Sequence, residues 1–115
     1  MQEIFFCDKI ILVIELNVEY EIGDYKFEWD SEKAKINWKK HKIKFEDAVL
    51  VFFDENLMDD IDEFHSDNEE RFKIIGRVEK ILVVIYTERG DRNRIISART
   101  ATKKEQEDYY EQFYD

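Results

Sequence analysis

Ile81-Leu82-Val83-Val84-Ile85-Tyr86-Thr87-Glu88-Arg89-Gly90-Asp91-Arg92-Asn93-Arg94-Ile95-Ile96-Ser97-Ala98 is the stretch that decides the fold. Residues 81–86 are uniformly apolar, which fits a central strand covered on both faces. Residues 88–91 (Glu-Arg-Gly-Asp) are a turn, because glycine reaches the left-handed conformation without steric cost. Residues 92–98 then return as a second strand. Together they read as a hairpin that contains a central strand.

Outward from this hairpin, residues 71–77 alternate as a further strand. Residues 54–70 read as an acidic loop around a short strand at 57–61. Near the N-terminus, Ile14, Leu16, Val18, Tyr20 and Ile22 alternate with Glu15, Asn17, Glu19 and Glu21, the period of a half-buried strand. Gly23-Asp24 is a turn signal, and residues 26–29 form a short strand. Asp30 is suited to cap a helix that runs to His41 with Ala34 and Trp38 on one face. Phe45, Ala48, Val49 and Phe52 have the spacing of a core-facing stripe, which predicts a second helix over 45–52. Thr102-x-x-Glu105 is a capping box that opens the last helix, where Gln106, Tyr109, Tyr110 and Phe113 share a face. The order predicts an α+β domain: an antiparallel sheet packed against two N-terminal helices and one C-terminal helix, with an extra N-terminal strand.

With 115 residues the chain holds one core. Cys7 is the single cysteine, so a disulfide framework and a cysteine-based zinc site are excluded. A reducing, cytoplasmic setting is the simplest expectation. The apolar run 10–14 is too short to span a membrane, and the acidic Glu3 precedes it where a signal peptide would be basic. The net charge of −10 argues against nucleic acid until its distribution is considered. Residues 54–70 hold nine acids and no lysine or arginine, whereas residues 71–104 hold ten basic residues against three acids. Exposed charges are screened beyond about 10 Å at physiological salt, so the blocks matter more than the total. Arg89, Arg92, Arg94 and Arg99 crowd one hairpin. Guanidinium forks match phosphate oxygens and stay charged at any working pH. An anion-binding surface follows, suited to a nucleic-acid backbone.

Phe27-Glu-Trp-Asp30, Asn37, Lys40-His41, Phe45-Glu-x-Ala48, Phe52-x-Asp54, Glu70-Arg71-Phe72, Gly76-Arg77, Val83-Val-Ile-Tyr-Thr-Glu88 and Arg94-Ile-Ile-Ser-Ala-Arg99 resemble, in this order, the bacterial BrnT toxins. The resemblance runs from about residue 26 to residue 110, within a toxin domain at 25–115. Residues 1–24 fall outside the family pattern and read as an extension with an edge strand. Lys42 stands where the pattern has glycine, which would end the helix in the left-handed conformation at less cost.

The resemblance implies a RelE-like fold and a ribonuclease toxin of a type II toxin–antitoxin system. It implies a BrnA-like antitoxin with a ribbon-helix-helix domain that neutralises the toxin by direct binding. Operator DNA is then reached only through the antitoxin, and no membrane is involved. A catalytically inactive toxin that keeps the antitoxin surface, serving as a co-repressor subunit, is the alternative. A DNA-mimicking acidic inhibitor is disfavoured by the basic block 71–104.

RNA transesterification needs a base for the ribose 2′-hydroxyl, cations for the phosphorane oxyanion and an acid for the leaving 5′-oxygen. No cofactor and no metal ion are required. His41 is a candidate base, since histidine ordinarily titrates near neutrality; a helix-terminal structural histidine is the plain alternative. Glu28 and Glu70 are carboxylate candidates, with Asp30 more simply the helix cap. Arg71, Arg94 and Arg99 are the candidate catalytic cations, because strands hold side chains rigidly. Arg94 and Arg99 are an odd number of residues apart, so they share a face only if the strand bends. Lys40, Arg77, Arg89 and Arg92 are candidate RNA contacts, or solvated charges. Trp29 and Trp38 either stack on bases or belong to the core. His65 reads as solvated. The acids of 54–70 lack the spacing of a calcium loop.

Overall fold

A computed structural model of the chain describes residues 16–66 and 69–114, with the backbone alone over 60–66. Cys7, Ile14, the apolar run 10–14 and the side chain of His65 lie outside the described residues. Strands β1 (Asn17–Ile22) and β2 (Tyr25–Asp30) form a hairpin, followed by helix α1 (Ser31–His41), a single-turn helix α2 (Phe45–Ala48) and a 3₁₀ turn (Val49–Phe53). Strands β3 (Met58–Ser66), β4 (Glu69–Val78), β5 (Lys80–Arg89) and β6 (Arg92–Thr100) then form a meander, and helix α3 (Lys103–Glu111) closes the chain. The strands build one sheet in the order β1-β2-β6-β5-β4-β3.

The architecture is α+β, and the sheet is mixed where sequence predicts it antiparallel. β6 returns beside β2 in parallel, with Phe27 opposite Asn93 and Glu28 opposite Arg94. Everything between residues 30 and 92 forms the crossover, and a long crossover is what a parallel pair requires. The predicted acidic loop is also corrected. Met58–Ser66 is a nine-residue strand antiparallel to β4, with a register irregularity between Asp60 and Phe64. Acidic residues depress strand propensity only weakly at the end of a sheet, where charge also discourages further pairing.

Two core clusters lie on opposite faces of the sheet. The larger contains Phe27, Trp29, Phe45, Val49, Leu82 and Ile95, and it seats α2 and the 3₁₀ turn. The smaller contains Ile75, Ile81, Val83, Ala101 and Tyr109, so α3 packs on the other face. Phe27 and Phe45 are fully buried, a gain of roughly 2–3 kcal/mol each.

The predicted second helix is divided. After Ala48 the chain tightens to 3₁₀ geometry, whose three-residue repeat puts Phe45, Ala48 and Val51 in one completely buried row. Gly76 permits this approach, because a Cβ there would lie 2.8 Å from Val51 Cγ1. Trp29 is core, but Trp38 is 44 % exposed. The ammonium groups of Lys42 and Lys44 lie 5.5 and 5.9 Å from its ring centroid.

Both helix caps appear as sequence predicts. Asp30 Oδ1 accepts from the Glu32 N–H at 2.8 Å, and Thr102 and Glu105 form the reciprocal capping box. Lys42 adopts φ 60°, ψ 32° and donates its N–H to Trp38 O, the left-handed cap that glycine occupies more cheaply.

Candidate active site

Strand register sets the geometry of the charged face. Glu19 lies opposite Glu28, Glu28 opposite Arg94, and Arg94 opposite Thr87. Tyr86 faces Phe72, which sets Arg71 beside Thr87. Glu28, Arg94 and Arg71 therefore form one row across β2, β6, β5 and β4, about 14 Å long at the usual strand spacing. They alternate with Phe27, Ile95 and Tyr86, which point into the larger core. The row belongs to the face that carries α3.

Within this row the charges are held differently. Arg94 Nη1 donates to Glu28 Oε2 at 2.7 Å and to Asn17 Oδ1 at 2.9 Å. The Arg94 and Glu28 side chains are only 17 % and 13 % exposed. Arg71 is the contrast: its Nε is buried and has no hydrogen-bond partner among the described residues. Leaving a buried donor unpaired costs about 1–3 kcal/mol, so such an atom is a candidate anion ligand.

Arg89 and Arg92, expected to meet RNA, are already engaged. Arg89 forms a two-pronged pair with Glu69 at 2.9 and 3.2 Å. That hydrogen bond holds the Glu69 carboxyl below its ordinary value and raises the guanidinium. Arg92 donates to Glu21 at 3.1 Å and to Phe27 O at 3.3 Å, and Glu19 stands 3.4 Å away. Lys26 pairs with Asp91 at 3.0 Å.

Arg99 lies away from the row. It pairs with Val83, four residues along β5 from Thr87, or about 13 Å. Its guanidinium grips Glu105 at 2.8 and 3.0 Å. Lys73 approaches the same carboxylate at 3.2 Å, and the Thr102 N–H donates to it at 2.8 Å. The Arg99 hydrogen bond, acting against burial, holds Glu105 far below the usual carboxylate range.

His41 and Lys40 end α1 and line a cleft of about 310 Å³ with Lys33, Ile36, Ile96 and Ser97. Arg94 lines a neighbouring cleft of about 210 Å³ with Leu16, Asn17 and Asp30. Both clefts border β6, where β2 has given way to α1. Asn37 fills the vacated pairing position: its amide bonds to both the N–H and the carbonyl of Ala98, at 3.0 and 2.9 Å, and to Ile43 O.

Arg77 is exposed, and its backbone N–H donates to Asp54 Oδ2 at 2.7 Å. The Tyr109 hydroxyl donates to the same oxygen at 2.6 Å. Burial and this bond push the Tyr109 hydroxyl up to about 12. Burial raises Asp54, but the bonds from Tyr109 and the Arg77 and Asn56 N–H groups outweigh it and leave the carboxyl lowered. Glu70 alternates with Arg71 on β4, and its carbonyl accepts from the Thr87 hydroxyl at 2.7 Å.

The register thus joins Glu28, Arg94 and Arg71, keeps Arg89 on the same face two residues beyond Thr87 but bound to Glu69, and sets Arg99 and Arg77 farther along the strands, while His41 and Lys40 line a cleft beside Ile96 and Ser97 of β6. Sequence reasoning missed Thr87, Lys73 and Asn17 as members of this face. Only cross-strand register reveals them, whereas Asn37, the buried residue of α1, was visible in the sequence among the family motifs. Among the described residues, no three His, Cys, Asp or Glu side chains gather as a metal-ligand set. No described helix is long and apolar enough to cross a membrane.

Comparison with known proteins agrees with this architecture. No curated protein matches the chain. A crystal structure of the Brucella abortus ribonuclease toxin, BrnT, is 26 % identical, with a TM-score of 0.50. The match covers 65 % of this chain and 94 % of that one. Residues 29–105 match the family model described as "Ribonuclease toxin, BrnT, of type II toxin-antitoxin system", so Glu28 stands one residue before the matched stretch. The chain belongs to the BrnT family of ribonuclease toxins from type II toxin–antitoxin systems.

Proposed function

We propose that the chain is an endoribonuclease toxin with a RelE-like arrangement, cleaving RNA by metal-independent attack of a ribose 2′-hydroxyl on the adjacent phosphorus. The row of Glu28, Arg94 and Arg71 on one face carries this reading. In this mechanism Arg71 and Arg94 bind the non-bridging oxygens of the scissile phosphate, and Arg71 Nε, which has no hydrogen-bond partner among the described residues, donates there. Glu28 accepts the 2′-hydroxyl proton as the 2′-oxygen bonds to phosphorus. His41, in the adjacent cleft, gives a proton to the 5′-oxygen as the P–O5′ bond breaks. The products are a 2′,3′-cyclic phosphate and a free 5′-hydroxyl. Positioned donors stabilise the charge that develops on the phosphorane, where they act most strongly. The 2′-hydroxyl requirement confines the reaction to RNA. Lys40 extends the phosphate track. Arg99 anchors α3 through Glu105, and a BrnA-like antitoxin silences the toxin in the cytoplasm.

The test is the pH dependence of cleavage of an RNA oligonucleotide. The wild type should give a bell-shaped profile, with Glu28→Gln losing the acidic limb and His41→Ala the alkaline limb. Unchanged profiles in both variants would remove these two residues from the chemistry.

The ion pairs favour a second reading. Arg89, Arg92, Arg94 and Arg99 are each held by a carboxylate, as expected of a protein that keeps only its antitoxin surface. Antitoxin binding by a well-folded chain that neither cleaves RNA nor arrests growth would establish it.

A further inference from the structure

Strand β1 lies outside the stretch that matches the BrnT family, which begins at residue 29. It is nevertheless built into the charged face. Asn17 Oδ1 accepts from Arg94 at 2.9 Å, while Glu19 and Glu21 stand 3.4 and 3.1 Å from Arg92. Period-two alternation explains the placement. Val18, Tyr20 and Ile22 pack against the larger core, so Asn17, Glu19 and Glu21 must project from the opposite face. Leu16 O also accepts from the Ser31 N–H, which ties the start of this segment to the first residue of α1. Leu16, Asn17 and Asp30 wall the cleft that Arg94 lines.

We infer that β1 is an intramolecular competitor for RNA, its Glu19, Glu21 and Asn17 occupying the Arg92 and Arg94 groups that a phosphate backbone would otherwise take. This inference rests on the proposed RNA-cleaving face. The two glutamates are about half exposed, at 59 % and 52 %, whereas Arg92 is 17 % exposed. Exposed partners of this kind hold an arginine weakly. A bound phosphate can therefore displace them, and they lower affinity without abolishing it. The same carboxylates repel any polyanion laid along β2 and β6. β1 pairs with β2 alone among the described strands, so its effect can be removed by side-chain substitution without disturbing the rest of the sheet.

The experiment compares the full chain with Glu19→Gln/Glu21→Gln and with a charge-matched control, Glu46→Gln/Asp47→Asn, whose exposed residues lie on α2. The binding probe is a single-stranded RNA oligonucleotide with 2′-O-methyl sugars, which cannot be cleaved by 2′-hydroxyl attack. Cleavage is followed on the unmodified oligonucleotide, and folding by thermal unfolding. The β1 variant should bind about three- to tenfold tighter at low salt, the gain shrinking as salt screens it. The control should match the wild type, and Asn17→Ala should give a smaller gain than the double variant. An equal gain in the control, or no gain in the β1 variant while the wild type binds, would overturn the inference and leave the nuclease reading intact. Tighter binding by the β1 variant with no cleavage by any protein would support the inference and sink the nuclease reading. Absence of RNA binding by every protein would overturn both.

Discussion

Arg94 and Arg99 project from the same face of the sheet although they stand five positions apart, an odd number. Ile85 pairs with Ser97 and Tyr86 with Ile95, so Ile96 is an extra residue in β6. A bulge of this kind resets the alternation of side chains. Ile95 and Ala98, three residues apart, consequently share the larger core, and the two arginines share the other side. They still serve different ends of that face, one with Glu28 and one with Glu105.

Removing Arg71 should therefore affect chemistry more than stability. Arg71→Ala is expected to lower the RNA cleavage rate by about 10²–10³-fold, the usual loss on deleting an oxyanion-stabilising donor. Its midpoint of thermal unfolding should stay close to wild type. Arg99→Ala should instead cost about 1–3 kcal/mol, because it leaves Glu105 short of its strongest partner. Cleavage assays alongside denaturant titrations separate the two outcomes, and a reversed pattern would exchange the proposed roles.

Asn37 supports β6 where β2 stops. Asn37→Ala strands the N–H and carbonyl of Ala98 and the carbonyl of Ile43. A loss of about 2–4 kcal/mol is expected from unpaired buried backbone groups. Differential scanning calorimetry should register a fall on the order of 10 °C.

Acid stability should depend on Glu105. Its carboxyl is held below the unfolded value by Arg99. Such a group adds stability above the unfolded carboxylate range and loses it as pH falls toward the folded value. Wild type should thus weaken progressively below about pH 4.5. Glu105→Gln should be less stable at neutral pH and show a shallower acid slope, measured by urea unfolding at several pH values. An identical slope in both proteins would rule out Glu105 as a source of the acid sensitivity.

Lys42→Gly should stabilise the chain by about 0.5–1 kcal/mol, since glycine enters the left-handed region without the penalty a lysine side chain meets. The gain is tempered by the entropy of glycine in the unfolded chain and by loss of the Lys42–Trp38 contact. Equilibrium unfolding in guanidinium chloride would show a raised midpoint with an unchanged slope. A lowered midpoint would mean that the cation–π contact outweighs the backbone strain.

The hairpin around Gly90, the cap at Asp30, the capping box at Thr102 and the family motifs were all legible in the sequence. Each depends on residues within a few positions of one another. Only the start of β3, at 57–61, was legible, because nine acids across 54–70 resemble a solvated loop until β4 supplies the pairing partner for Met58–Ser66. The break between α2 and the 3₁₀ turn was hidden too, for it answers to Gly76 on a distant strand.

The sequence by itself determined the α+β class, the caps, the arginine-rich hairpin and the BrnT resemblance, since period, composition and short motifs are written in neighbouring residues. Only the tertiary structure decided that β6 runs parallel to β2, that a bulge at Ile96 turns Arg94 and Arg99 to one face, and that Glu28, Arg94 and Arg71 form a row. Those relationships are set by register between strands far apart in the chain, and a shift of one residue would send every side chain to the opposite face.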